Sequence, residues 1–125
     1  MRKEILTDKA PAPIGPYSQA ILAQGKLLYI SGQIPMNVKG EIVGDNITLQ
    51  TKQVIKNIAA IIEAAGGDMI NIVKTTCLLS DMENFGEFNL VYSEYFSESK
   101  PARATYGVNR LPKDVLVEIE AVAIL

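Results

Sequence analysis

The last eleven residues, Val115-Leu116-Val117-Glu118-Ile119-Glu120-Ala121-Val122-Ala123-Ile124-Leu125, constrain this chain more than any other stretch. Read with the two-residue period of a strand, Val115, Val117, Ile119, Ala121 and Ala123 point one way, and Leu116, Glu118, Glu120, Val122 and Ile124 the other. Both faces are largely apolar, so the sheet that holds this strand needs cover on both sides. A chain of 125 residues, 48% hydrophobic and 21% charged, has length for one core and is expected to form a single domain over residues 1–125.

The element order follows from changes of period. Glu4 to Thr7 reads as a first short strand, and Ala10-Pro11-Ala12-Pro13-Ile14-Gly15-Pro16-Tyr17 as a loop whose prolines exclude helix. Ser18 to Gln24 and Leu27 to Ile34 read as two strands around Gly25-Lys26, a two-residue hairpin signal. From Ile47 to Ala65 the period becomes helical: Ile47, Val54, Ile55, Ile58, Ile61, Ile62 and Ala65 form one stripe, with Asn46 placed to cap its start and Gly66-Gly67 to stop it. Ile70 to Leu79 is β-rich, and Met82 to Phe96 predicts a second helix with Phe85, Phe88, Val91, Tyr92, Tyr95 and Phe96 inward. Ala102 to Val108 and Val115 to Leu125 are the last two strands. This order predicts an α+β fold, a mixed six-stranded sheet with two helices packed on one face. No element remains for the second face, so other copies of the chain are expected to cover it.

Several classes of chemistry are excluded by what the chain lacks. It contains no histidine, which removes Ser-His-Asp and Cys-His catalysis, histidine zinc sites and a histidine general base. Twelve basic against fourteen acidic residues give a net charge of -2, and the basic ones are scattered, so nothing favours a nucleic-acid partner. No apolar run is long enough for a membrane span and no secretory h-region is evident, so a soluble, cytoplasmic protein is expected. Cys77 is the single cysteine and, with nothing nearby in sequence to lower its pKa, reads as an inert buried thiol.

Against that background the charges inside the apolar strands stand out. Arg103 lies in Ala102-Arg103-Ala104-Thr105-Tyr106-Gly107-Val108, sharing a strand face with Thr105, and Glu118 shares a face with Glu120 roughly 7 Å away at two residues' rise. Such groups are rarely buried without a partner, so they mark a pocket or an interface. For an arbitrary strand arginine, an interface ion pair is the commoner explanation. If the two faces coincide, a guanidinium, a hydroxyl and one or two carboxylates meet at the sheet. The connection Asn109 to Asp114 allows either a hairpin or an intervening strand, which leaves that coincidence open.

Five motifs in order, Ala12-Pro13-Ile14-Gly15-Pro16-Tyr17-Ser18-Gln19-Ala20, Ile30-Ser31-Gly32-Gln33-Ile34-Pro35, Pro101-Ala102-Arg103-Ala104-Thr105, Arg110-Leu111-Pro112-Lys113-Asp114 and Val117-Glu118-Ile119-Glu120-Ala121, closely resemble the RidA (reactive intermediate deaminase A, YjgF) family. The resemblance runs from about Thr7 to the C-terminus. It implies a chorismate-mutase-like fold, a homotrimer with a barrel-like core and clefts between subunits, and hydrolysis of enamine and imine intermediates such as 2-aminoacrylate and 2-iminopropanoate to 2-oxo acids and ammonia. By motif it places the substrate-carboxylate arginine at Arg103, the water-associated glutamate at Glu118, the cleft tyrosine at Tyr17, and substrate-binding positions at Ser31, Gly32, Asn89 and Thr105. Thr105 stands where many members carry cysteine, which removes any thiol-based role there. An iminium is already electrophilic, so neither a metal nor an organic cofactor is expected. The alternative is a noncatalytic trimer that binds small carboxylates such as 2-oxo acids, or acts as a regulator.

Overall fold

The computed structural model describes residues 1–125. Eight regular elements follow the expected order: β1 (Arg2–Ile5), β2 (Ala20–Ala23), β3 (Leu27–Gln33), α1 (Ile47–Ala64), β4 (Ile72–Leu79), α2 (Phe85–Phe96), β5 (Ala102–Gly107) and β6 (Val117–Ile124). Short 3-10 turns at Met69–Asn71 and Met82–Asn84 occupy the starts of what the periodicity read as a longer fourth strand and a longer second helix.

The expected six-stranded sheet is not formed. The strands divide into a two-stranded pair, β1-β2, and a four-stranded mixed sheet ordered β3-β6-β4-β5. The Gly25-Lys26 hairpin is also absent: β2 pairs antiparallel with β1, and β3 pairs antiparallel with β6. Lys26 exchanges two backbone hydrogen bonds with Leu125, at 3.0 and 2.8 Å. The non-local pairing wins because it places Leu28 and Ile30 beside Ala121 and Ala123 on the helix-covered face, a burial that the four-residue β2 cannot provide. Serine and arginine side chains tie the β1-β2 pair down instead. The buried Ser18 hydroxyl is 2.5 Å from both the Glu4 carboxylate and the Lys100 carbonyl, and Arg2 donates to the Ser99 carbonyl.

Both helices pack on one face of the four-stranded sheet, as expected. The Asn46 side chain accepts from the Leu49 N–H at 2.9 Å to cap α1, and Gly66, at φ +89°, ends the chain's helical course. Val54, Ile58 and Ile62 of α1 meet Phe88, Tyr92 and Phe96 of α2 and Ile72, Leu79, Val117 and Ile119 of the sheet in one core. Tyr95 departs from its expected inward position and is 42% exposed.

Register decides which charges share a face. Residues directly opposed across a ladder project to the same side. Thr75 opposes Arg103 on one flank and Ala121 on the other, and Cys77 opposes Thr105 and Ile119. Arg103 and Thr105 therefore lie on the helix side. Leu78 opposes Glu118 and Tyr106, and Thr76 opposes Glu120, on the other side. β4 is the intervening strand, and within one chain the arginine and the glutamates sit on opposite faces. The open face carries Leu27 and Tyr29, both exposed, and Leu78, Val122 and Ile124, half-buried, and neither helix packs on it. No helix is long and apolar enough to cross a membrane.

Candidate active site

Arg103 extends from edge strand β5 beneath the proline-rich loop before β2, at the start of α2. Its Nη1 donates to Asn89 Oδ1 at 2.7 Å. Its guanidinium carbon lies 4.7 Å from the Tyr92 ring centre, 5.4 Å from Tyr17 and 5.7 Å from Phe85. Aromatic faces attract a cation through their quadrupoles and hold the planar group without neutralising it. The chain's single ion pair, Arg110–Asp114, is elsewhere, so no carboxylate meets Arg103. A half-buried guanidinium with a neutral amide, π faces and no anion is set to receive one.

The space beside it is a cavity of about 360 Å³ lined by Ile14, Gly15, Tyr17, Met82, Phe85, Asn89, Arg103 and Thr105. That is the scale of a small-molecule site. The Tyr17 hydroxyl accepts from the Ile14 N–H at 3.3 Å, which closes the loop on itself and fixes the ring against the arginine. Thr105 Oγ1 is buried and has no hydrogen-bond partner. Its oxygen is turned toward the buried Cys77, the residue directly opposite on β4, and away from solvent. Behind it, Thr75 Oγ1 and the Tyr92 hydroxyl are 2.7 Å apart, and burial raises the Tyr92 phenol above its ordinary range. Burial also pushes the Cys77 thiol up to about 12, against the opposing pull of Arg103's charge. It is an inert buried thiol.

Tyr17, Asn89, Arg103 and Thr105 thus come together. Ser31, Gly32 and Glu118 form a second group across the sheet. A Cβ at position 32 would overlap the Glu118 carboxylate, so glycine there lets the carboxylate lie flat over β3. Ser31 is exposed on the same side and lines a cavity of about 440 Å³ with Tyr29, Lys74, Thr76 and Glu120. Glu120 and Lys74 are solvated at the rim of that cavity. Phe85 and Tyr92 were read only as core. The missed signal is their spacing from Asn89 on α2, which puts all three on adjoining turns beneath the arginine.

The family described as endoribonuclease L-PSP matches residues 7–125. The chain belongs to the RutC/YjgF/RidA family. It is 57% identical over 124 residues to a RutC family protein of Pyrococcus horikoshii, with 98% of each chain covered. It is 49% identical over 125 residues to the human protein named 2-iminobutanoate/2-iminopropanoate deaminase, covering 99% of this chain and 90% of the relative. The crystal structure of the YjgF gene product of E. coli superposes with a TM-score of 0.74 at 44% identity, covering 98% of both chains. The family fold is therefore this α+β arrangement of two helices on a mixed sheet.

Proposed function

We propose that the chain is an enamine/imine deaminase that converts 2-aminoacrylate/2-iminopropanoate-type intermediates to 2-oxo acids and ammonia. The observation that carries this is the anion-free Arg103, held by Asn89 over an open cavity of small-metabolite size. Relatives named 2-iminobutanoate/2-iminopropanoate deaminase at 49% identity support the same chemistry.

In this reading Arg103 grips the substrate carboxylate through two parallel charge-assisted hydrogen bonds, which a lysine would orient less well. That fixes the carbon of the C=N bond against Thr105 and the Tyr17 ring. Glu118 holds a water and takes its proton as the oxygen adds to that carbon. The nitrogen is protonated, the C–N bond breaks, and the products are a 2-oxo acid and ammonia. Since Glu118 and Arg103 project from opposite faces of one sheet, the reaction needs Glu118, Ser31 and Gly32 from a neighbouring copy laid against the Arg103 cavity. A homotrimer joined through its open sheet faces supplies three such clefts. The endoribonuclease in the family description draws no support from this geometry: there is no histidine, and the net charge of -2 offers no track for a phosphate backbone.

The test is acceleration of 2-oxo acid formation from an imino acid generated in situ by a pyridoxal-phosphate dehydratase. Arg103→Ala is expected to lose roughly a hundredfold or more of the acceleration with its circular dichroism unchanged. Undiminished turnover would reject the assignment. Saturable binding of 2-oxobutanoate by the wild type without turnover of any imino acid would make the protein a carboxylate binder instead.

A further inference from the structure

The largest concavity of the chain is not the Arg103 cavity. It is a groove of about 520 Å³ along the outer side of α1, running from Gly44 before the helix to Met69 beyond it and walled by Tyr95 of α2. It shares no lining residue with the Arg103 cavity. Its floor and walls are apolar, and two large side chains stand open beside it: Leu49 is 46% exposed and Tyr95 42% exposed. Tyr95 is the residue of the α2 stripe that the core does not take in, although Phe88, Tyr92 and Phe96 around it are fully buried.

Lys52 and Lys56 stand on the rim, both exposed and one helical turn apart. No aspartate or glutamate lines the groove, and neither lysine has a carboxylate within ion-pair distance, since the chain's one ion pair joins Arg110 to Asp114. Like charges four residues apart on a helix repel and weaken it. Here no acidic neighbour at the preceding or following turn relieves them: Thr48 and Ala60 occupy those positions. An apolar trough bordered on one side by two unpaired cations is complementary to a molecule with an apolar body and one anionic end.

We infer that this groove is a second ligand site, for a free aliphatic carboxylate of medium chain length. The chain lies on Leu49, Ala59, Met69 and Tyr95, and the carboxylate meets Lys52 and Lys56. The volume is within the range of small-molecule sites. Two ammonium groups on flexible stems suit a headgroup at the groove mouth, where the exact angle of approach is not fixed, whereas the rigid fork of Arg103 suits a short acid held in one orientation. The inference does not depend on the deaminase reading.

The experiment is isothermal titration calorimetry of the whole protein with decanoate below its micelle concentration, beside decan-1-ol and acetate. Decanoate is expected to saturate at one per chain, with acetate and the alcohol each binding at least tenfold more weakly. In the charge-reversed variant K52E/K56E, whose exposed positions leave the core intact, decanoate affinity is expected to fall roughly tenfold while the unfolding temperature and deaminase turnover stay at wild-type values. Ala59→Phe, which fills the groove, is expected to remove binding of decanoate with turnover retained. Equal affinity in wild type and K52E/K56E, equal affinity for acid and alcohol, or displacement of decanoate by substrate would overturn the proposal. A change of assembly size in K52E/K56E by sedimentation would assign the groove to another copy of the chain and overturn it as well.

Discussion

On the helix side of the four-stranded sheet, Ile72, Cys77, Leu79, Val117, Ile119 and Ala123 have no exposed surface, whereas on the other side Leu27 is 57%, Tyr29 73% and Tyr106 56% exposed. The open side keeps Leu27, Leu78, Val122 and Ile124 among Lys74, Thr76, Glu118 and Glu120, so residue type alone does not separate the two. What separates them is supply: two helices cover one face, and the chain owns nothing for the other. The ionisable groups divide in the same way. Arg103 lies at the edge of the covered face, pinned by Asn89 and aromatic rings, and Glu118 lies on the open face above Gly32. A chain arranged like this keeps its own core complete, and in the proposed reaction its chemistry is finished by a neighbour.

Substitutions that damage one face and spare the other test that division. The largest effect is expected for Phe88→Ala, which opens a void among Phe85, Tyr92 and the sheet and should cost about 3–5 kcal/mol of stability by urea unfolding. Val122→Lys places a charge on the open face instead. Its fold should survive with near-wild-type circular dichroism, while sedimentation shows the assembly reduced to single chains and deaminase activity lost. If Val122→Lys destabilises the chain as much as Phe88→Ala does, the open face is part of the chain's own core after all.

Mixing separately inactive variants sharpens the comparison. Arg103→Ala and Glu118→Ala, unfolded together at equal amounts and reassembled, should recover roughly a quarter of wild-type activity, because random pairing leaves that share of clefts with both groups intact. No recovery would place both groups in one chain's site. Gly32→Ala probes the contact on the open face alone. The added methyl displaces the Glu118 carboxylate, and a loss of about tenfold in kcat with little change in KM is expected, since water activation rather than carboxylate binding is disturbed.

The most gradual effect is on the covered face. Cys77 ionises at an ordinary 9.0 once unfolded, but burial raises it to about 12 in the folded chain. Above pH 9 the unfolded state therefore binds fewer protons than the folded one, and stability should decline as pH rises from 9 toward 12, by at most about 1.4 kcal/mol per unit. Urea titrations of wild type and Cys77→Val from pH 8 to 10.5, chosen to span roughly that onset, should diverge in the alkaline range and run parallel below it.

Much of this is legible in the sequence, and the boundary between what is and is not is physical. Helix α1 could be read to within a residue because its signals are local: Asn46 at one end, Gly66 at the other and an isoleucine stripe between. Arg103 and Thr105, or Glu118 and Glu120, could be grouped by alternation along their own strands. Alternation does not say how one strand's phase relates to another's. That relation is set by β4 inserting between β5 and β6, parallel to one and antiparallel to the other, which no turn signal encodes. The same non-local pairing defeated the Gly25-Lys26 hairpin, where a local turn preference lost to the longer ladder with β6. Asn89 was placed by the resemblance, while Phe85 and Tyr92, its neighbours beneath the arginine, looked like ordinary core.

The placement of Arg103 and Glu118 on opposite sides of one sheet has a quantitative corollary for any cell that makes this chain. If a neighbouring copy completes the site as proposed, specific activity becomes a function of how much of the protein is present. Below the concentration at which protomers part, each molecule would still be folded yet idle, so halving expression would remove more than half of the proposed activity.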